Sequence, residues 1–228
     1  MDARKSTGIA KLDELMEGGL KGTSINMLEG EAGSGKSTFA MQYLLAGVNA
    51  GEKGIYISVE ESRKSVFENM KRFGFNLEQH EAKGMFMFYE CTAQKLRDFL
   101  EKGAIGIEQE IKQMDAKRLV IDSISAFTLV YDTEAKQRAV VQKLFEKIKS
   151  WNLTTLIVSE AAQDYATLGL PYLVDGWVKL YYKKVGSERV RTVEVLKMRG
   201  TKHKTTETVY RIEDNGINLY PNERIFEG

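Results

Sequence analysis

The feature that most constrains this chain is a glycine-rich segment at residues 30–37, Gly-Glu-Ala-Gly-Ser-Gly-Lys-Ser. It fits the pattern G-x-x-x-x-G-K-[ST], follows a short apolar run at residues 24–29 and opens a helical pattern at residues 36–50. Glycines in that position let backbone N–H groups curl around phosphates, and the helix N-terminus favours their negative charge. A plain glycine turn with a helix-capping serine is the weaker interpretation, because the whole pattern occurs in the context it requires.

Strands and helices alternate along the chain up to about residue 160. The apolar runs lie at residues 24–29, 54–59, 118–122 and 154–159, and the helical patterns at residues 36–50, 62–72, 105–114 and 133–151. This alternation predicts an α/β fold with a mainly parallel central sheet flanked by helices. After Pro171, short turns at 185–187 and 214–216 join the runs at 177–184 and 189–198 and the runs at 208–212 and 217–220. They predict a C-terminal antiparallel β-hairpin extension.

Composition limits the classes of protein to which the chain can belong. Two prolines in 228 residues leave no Pro-rich linker, and no solenoid repeat is visible, so we expect one domain over residues 1–228. The formal net charge is only +1, which provides no general attraction to nucleic acid or membranes. Cys91 is the single cysteine, and no stretch approaches the ~18 apolar residues of a membrane span. We therefore expect a cytoplasmic protein.

Three residues are candidates for binding phosphates and a metal ion. Lys36 is placed to reach the β and γ oxygens of a nucleoside triphosphate, and the Ser37 hydroxyl is placed to hold Mg²⁺. Asp122 ends a buried apolar strand, where a P-loop protein holds Mg²⁺ and its water shell. An aspartate at a strand end is otherwise often a turn or cap residue.

Paired carboxylates follow the second strand of the α/β series. Glu60 and Glu61 are expected at the carboxyl edge of the sheet, near the phosphates. A carboxylate there can orient or deprotonate an attacking water. The alternative is that both residues simply favour the dipole of the next helix.

A basic segment occupies residues 179–204. Lys197 and Arg199 are two residues apart on a predicted strand, so their side chains share a face that suits an anion. A solvated hairpin edge is an equal alternative. The segment holds nine Lys or Arg residues, but they alternate between both strand faces. Nucleic-acid binding is therefore possible but disfavoured.

These residues resemble the RecA-like ATPases of the KaiC, RadA and gas-vesicle-regulator group, and within it the single KaiC-type domain of archaea and bacteria. Three segments carry the resemblance: the lead-in at residues 7–20, the glutamate pair within residues 59–62, and residues 196–203, which are similar to the late nucleotide-gripping strand of the family. Together with residues 212–218, the similarity extends over nearly the whole chain.

The resemblance implies an Mg²⁺-ATP site at a subunit interface. The residues it assigns to the triphosphate are Gly33, Ser34, Gly35, Lys36, Ser37 and Thr38. It assigns Mg²⁺ to Ser37 and Asp122, and water activation to Glu60 and Glu61. Lys197 and Arg199 would reach across a ring interface to the γ-phosphate of a neighbouring subunit. The remaining nucleotide-lining positions are Met198, Thr201, His203, Asp214 and, with a different residue type from the family, Arg72.

The chain also departs from its relatives. The cyanobacterial clock protein resembles two such domains fused, whereas this chain has one. Pro171 and Tyr172 stand where the second clock domain has its adjacent serine and threonine autophosphorylation sites, so we do not expect that autokinase activity. The loop after Ser159 carries Glu160 and Asp164 and not the basic run of a recombinase.

We therefore expect an ATP-binding and ATP-hydrolysing, Mg²⁺-dependent switch, assembled as a homo-oligomer, hexameric by resemblance, that acts on partner proteins. One alternative is a recombinase paralogue that grips single-stranded nucleic acid under ATP control. Another is a residual kinase acting on a partner or on Thr167 or Tyr172.

Overall fold

The structure is a computed structural model that describes residues 3–101, 105–161 and 169–223. Asp164 and Thr167 lie outside the described residues. The strands are β1 (Arg4–Lys5), β2 (Leu20–Lys21), β3 (Ile25–Gly30), β4 (Gly54–Ser58), β5 (Phe86–Glu90), β6 (Arg118–Asp122), β7 (Thr154–Glu160), β8 (Gly176–Val185), β9 (Glu188–Met198), β10 (Thr208–Glu213) and β11 (Gly216–Tyr220). The helices are α1 (Ala10–Leu15), α2 (Lys36–Asn49), α3 (Arg63–Lys71), α4 (Leu77–Ala82), α5 (Ala93–Glu101), α6 (Ile105–Met114), α7 (Ile124–Thr128), α8 (Glu134–Ser150) and α9 (Leu170–Leu173).

A nine-stranded sheet forms the centre of the fold, in the order β11-β10-β9-β8-β3-β7-β6-β4-β5. Six neighbouring strands, β8, β3, β7, β6, β4 and β5, run parallel to one another. Strands β9, β10 and β11 continue the sheet beyond β8 with antiparallel pairs. The expected α/β fold with a C-terminal antiparallel extension is confirmed. The predicted hairpin of β8 and β9 is confirmed, and β8 also pairs in parallel with β3 along its other side, which joins the extension to the central sheet.

Helices cover both faces of the sheet, which explains why its strands read as continuous apolar runs. In β4, Tyr56 packs into the cluster built with α1 to α4, whereas Ile55 and Ile57 pack into the cluster built with α5 to α8. All five residues of β4 are buried. The parallel strands of the sheet thus alternate between two cores, as the period of a β-strand requires.

The C-terminal hairpin β10-β11 packs against the first long helix. The backbone N–H of Ile217 donates to Oε1 of Gln42 on α2 at 2.6 Å, and the Gln42 Nε2 donates back to the Ile217 carbonyl at 3.3 Å. This contact fixes the hairpin beside the glycine-rich loop, which lies at the carboxyl end of β3. None of the helices in the described ranges could span a membrane.

Candidate functional site

The glycine-rich loop adopts a backbone that favours glycine at two positions. Gly33 and Gly35 have φ angles of 78° and 90°, in the left-handed region. A Cβ atom at Gly35 would lie 2.7 Å from Cδ1 of Ile212, and one at Gly30 would lie 2.6 Å from Oγ of Ser34. The loop therefore needs glycine both for its conformation and for its close packing.

Residues of the C-terminal extension brace the loop from outside. The Tyr210 hydroxyl donates to the Ser34 carbonyl, and Nε of Arg191 donates to the Gly33 carbonyl at 3.0 Å. The Tyr182 ring lies 3.5 Å from the position of a Cβ at Gly33. No local sequence pattern points to these residues, because their partners lie about 150 or more positions away in the chain.

The loop offers cationic and polar groups for an anion. Nζ of Lys36 donates to the carbonyls of Gly30 and Glu31, at 2.9 and 3.0 Å, so the ammonium lies over the loop. Oγ of Ser34 is buried and has no hydrogen-bond partner among the described residues. A loop of this shape with an ammonium and a helix N-terminus is suited to the phosphates of a nucleotide.

The start of α2 and the end of β6 meet at a carboxylate. Oγ of Ser37 donates to Oδ2 of Asp122 at 3.0 Å, and the Tyr56 hydroxyl donates to the same oxygen. Burial raises the pKa of Asp122 above its ordinary value, while the hydrogen bonds from Tyr56 and Ser37 oppose that rise. A hydroxyl beside a carboxylate is an oxygen-ligand set that fits Mg²⁺. The residues present therefore fit the implied metal.

The two glutamates follow β4 and are both exposed. Oε2 of Glu60 accepts from Oγ of Ser123 at 2.7 Å, so Glu60 lies beside the residue that follows Asp122. Oε2 of Glu61 accepts from Oγ of Ser65 on α3 at 2.9 Å. Glu60 is thus directed toward the neighbouring strand end and Glu61 toward the first turn of its own helix.

A cavity of about 240 Å³ joins the loop to α3. Its lining residues are Ser37, Thr38, Glu61, Val66, Asn69, Met70, Arg72 and Phe73. The structure thus brings Arg72 and Glu61 close to Ser37, which ends the glycine-rich segment, and to Thr38. This arrangement suits the nucleoside part of a ligand whose phosphates lie on the loop.

The basic pair, Lys197 and Arg199, lies at the amino end of β3, and the glycine-rich loop lies at its carboxyl end. Nζ of Lys197 donates to the carbonyls of Pro171 and Val174 at 2.7 and 2.8 Å. The Arg199 guanidinium donates to the Tyr172 carbonyl at 2.9 Å, and Arg199 follows the end of β9. Both cations lie where β3 begins, whereas the glycine-rich loop follows its end, about 16 Å farther along the strand. One subunit does not bring the pair to its own loop.

The other predicted nucleotide-lining residues are divided between these two ends of the strands. Thr201 and His203 follow β9 and are half-buried. Asp214 is exposed in the turn between β10 and β11, on the side of α2. Met198, the last residue of β9, packs into the core with 4% exposure, and its nucleotide-lining role stays a prediction.

Most of the basic segment is engaged within the chain. Lys179 pairs with the buried Glu29 at 2.8 Å and Lys183 pairs with Glu207 at 2.5 Å. Arg189, Arg191, Lys197 and Arg199 donate to backbone carbonyls. Six of the nine cations therefore already have partners within the subunit, which disfavours a continuous surface for nucleic acid.

Comparison with known proteins gives a consistent result. A family model described as the KaiC ATPase matches residues 5–224. A UPF0273 protein of Pyrococcus horikoshii is 30% identical over 100% of this chain and 98% of its own length. The circadian clock oscillator protein KaiC of Parathermosynechococcus lividus is 30% identical over 96% of this chain and 42% of its own length. The crystal structure of a KaiC-like protein from Pyrococcus horikoshii has a TM-score of 0.86 at 32% identity, covering 97% of this chain and 100% of that one.

Proposed function

The chain belongs to the KaiC ATPase family, and from this premise we propose that it binds Mg²⁺-ATP on the glycine-rich loop and hydrolyses it. The observation that carries the proposal is the meeting of Ser37 and Asp122 at 3.0 Å beside that loop. It supplies a metal-compatible pair at the place where the β and γ phosphates of a loop-bound nucleotide would lie.

The residues of the loop have separate roles in this proposal. Backbone N–H groups of residues 33–38 bind the phosphates, and Lys36 exchanges its contacts with loop carbonyls for the β and γ oxygens. Ser37 and Asp122 would hold Mg²⁺, which neutralises charge on the phosphate oxygens when it is bound. Arg72, at the cavity beside Thr38, contacts the nucleoside side of the ligand.

The glutamate pair orients and deprotonates the attacking water. Glu60 is supported by its hydrogen bond to Ser123, next to Asp122, and Glu61 by its place in the cavity beside Ser37. Both are exposed, so water reaches both carboxylates. A positioned carboxylate contributes about 10²- to 10⁴-fold to such a proton transfer.

The site is completed by a second copy of the chain. Lys197 and Arg199 lie near the amino end of β3, away from the glycine-rich loop of their own subunit. This position supports a role at the γ-phosphate of a neighbouring subunit. Thr201 and His203 would lie at the same interface. We infer a closed ring, hexameric by family resemblance and cytoplasmic, in which ATP binding and hydrolysis change the contacts with partner proteins.

Steady-state turnover of Mg²⁺-ATP by the purified protein tests this proposal. We expect slow hydrolysis that is lost in Lys36→Ala, which also serves as the blank for contaminating ATPases. The same assay with single-stranded DNA tests the recombinase alternative, for which DNA would stimulate turnover and bind with a steep salt dependence. Wild-type turnover no greater than that of Lys36→Ala would contradict the ATPase. Phosphate retained on the protein after incubation would support the kinase alternative.

A further inference from the structure

A buried tyrosine hydroxyl reaches the carboxylate of the candidate metal site. Tyr56 lies in the middle of β4 with 1% exposure. Its hydroxyl donates to Oδ2 of Asp122. The parallel register pairs Tyr56 with Val120 and Ser58 with Asp122. Tyr56 and Asp122 therefore lie on the same face of the sheet, which is the face that α2 covers.

The ring of Tyr56 is held independently of its hydroxyl. It stacks on Phe88 with centroids 5.5 Å apart and planes 13° apart. It also belongs to the core cluster that contains the buried side chains of α2. Because packing fixes the ring, the hydroxyl is a preorganised donor, and the position of Asp122 follows from it.

Two hydroxyls, those of Tyr56 and Ser37, share one oxygen of Asp122, and neither engages the other oxygen, Oδ1. The carboxylate therefore has a fixed orientation, in which Oδ2 accepts both hydrogen bonds and Oδ1 accepts neither. Groups that orient a metal-binding carboxylate in this way commonly change metal affinity by about 10- to 100-fold when they are removed.

We propose that Tyr56 is a positioning residue of the magnesium site, and that its hydroxyl sets the Mg²⁺ affinity of the nucleotide-bound protein by fixing the Asp122 carboxylate. This assignment rests on the proposed function. It gives Tyr56 no contact with nucleotide and no part in proton transfer. Its effect passes entirely through Asp122.

The test is Tyr56→Phe, which removes the hydroxyl and keeps the ring against Phe88. The readout is the binding of a fluorescent, slowly hydrolysed ATP analogue as free Mg²⁺ is raised. We expect the Mg²⁺ midpoint to rise by about 10-fold or more. Binding of the analogue in excess chelator should not change. Turnover at saturating Mg²⁺ should fall much less than the midpoint shifts.

Tyr43→Phe is the matched control, because it removes another fully buried tyrosine hydroxyl, one that donates to the Thr154 carbonyl at 2.7 Å. It should lower thermal stability without moving the Mg²⁺ midpoint. An unchanged midpoint in Tyr56→Phe would overturn the assignment. Equal shifts in the two variants would overturn it as well, because they would indicate general loosening.

A double variant tests the route through Asp122. In an Asp122→Asn background, Tyr56→Phe should cause little further shift, and a full additional shift would overturn the assignment. The failure of the proposed function has a different signature. Wild-type protein would then show no Mg²⁺-promoted nucleotide binding, which removes the premise and the assignment together.

Discussion

At the scale of single residues, the glutamate pair shows how two adjacent carboxylates acquire different surroundings. Glu60 accepts a hydrogen bond from Ser123 on the strand end that also carries Asp122. Glu61 accepts one from Ser65 on α3 and lines the cavity beside Ser37.

Neutralising either glutamate should separate binding from chemistry. We expect Glu60→Gln and Glu61→Gln to bind ATP normally but to lose most hydrolysis, about 10²-fold or more for the residue that accepts the proton. The measurements are equilibrium nucleotide binding and single-turnover hydrolysis. Glu68→Gln, an exposed position on α3, is the matched control and should retain wild-type rates. Normal turnover in both pair variants would rule out the proposed base.

At the scale of elements, a buried arginine joins the start of the chain to α2 and β6. The Arg118 side chain is 3% exposed, and its Nε donates to Oε2 of Glu52 at 2.7 Å. Its Nη1 donates to the carbonyls of Ser6 and Tyr43 at 2.6 and 2.7 Å. Lys5 pairs with the other oxygen of Glu52. Glu52 is thus the carboxylate partner of this buried guanidinium.

The charge on Glu52 should make stability depend on pH. Burial raises the pKa of Glu52, but hydrogen bonds from Lys5 and Arg118 outweigh burial and hold the pKa below its ordinary value. A lowered pKa stabilises the fold above the unfolded-state value of about 4.3 and loses this effect as the pH falls through the folded-state pKa. We expect Glu52→Gln to lower the free energy of unfolding by about 3 kcal/mol at pH 7.

Urea unfolding between pH 7 and pH 3 measures this effect, and the difference between wild type and Glu52→Gln should shrink below about pH 4.3. Glu14→Gln is the control, because the Glu14 side chain is 62% exposed in its pair with Lys11. A surface pair of that kind contributes about 0.5 kcal/mol. A pH-independent difference for Glu52→Gln would show that lost packing, and not charge, causes the destabilisation.

Sequence patterns predicted the elements that have local signals. The apolar runs of β3, β4, β6 and β7 were recognisable because both faces of these strands are buried. The pairing of β8 with β9 was recognisable from the short turn between them, but its pairing with β3 was not, since a strand pattern does not encode which distant strand lies beside it. Within the site, the glycine-rich loop is a continuous segment and could be read directly. The contacts of Tyr56, Arg191 and Tyr210 join distant residues, so only the fold reveals them.

At the scale of the whole molecule, the glycine-rich loop and the basic pair of the proposed site lie at opposite ends of the parallel strands. Lys36 follows the carboxyl end of β3, whereas Arg199 lies where β3 begins, with its backbone N–H bonded to Asp175, whose carboxylate in turn accepts from Ile25. The length of β3 keeps these two ends apart within one subunit. If both residues act on one γ-phosphate, they must come from different subunits.

Mixed assemblies test that arrangement quantitatively. A 1:1 mixture of Lys36→Ala and Arg199→Ala subunits restores complete sites only where an intact loop faces an intact Arg199 of its neighbour. Random assembly into closed rings therefore predicts about a quarter of wild-type turnover per subunit for sites shared between subunits, and none for sites complete within one subunit. Neither variant alone should show this activity.

The reference mixture pairs wild type with the Lys36→Ala/Arg199→Ala double variant. Random mixing again leaves about a quarter of the sites complete if they are shared, but about half if each subunit carries its own. Because both mixtures contain equal numbers of each altered position, differences in folding or assembly affect them alike. Equal recovery in the two mixtures, verified as mixed by mass spectrometry, therefore assigns Arg199 to the neighbour's γ-phosphate. Recovery of half in the reference and none in the first mixture assigns it to its own subunit.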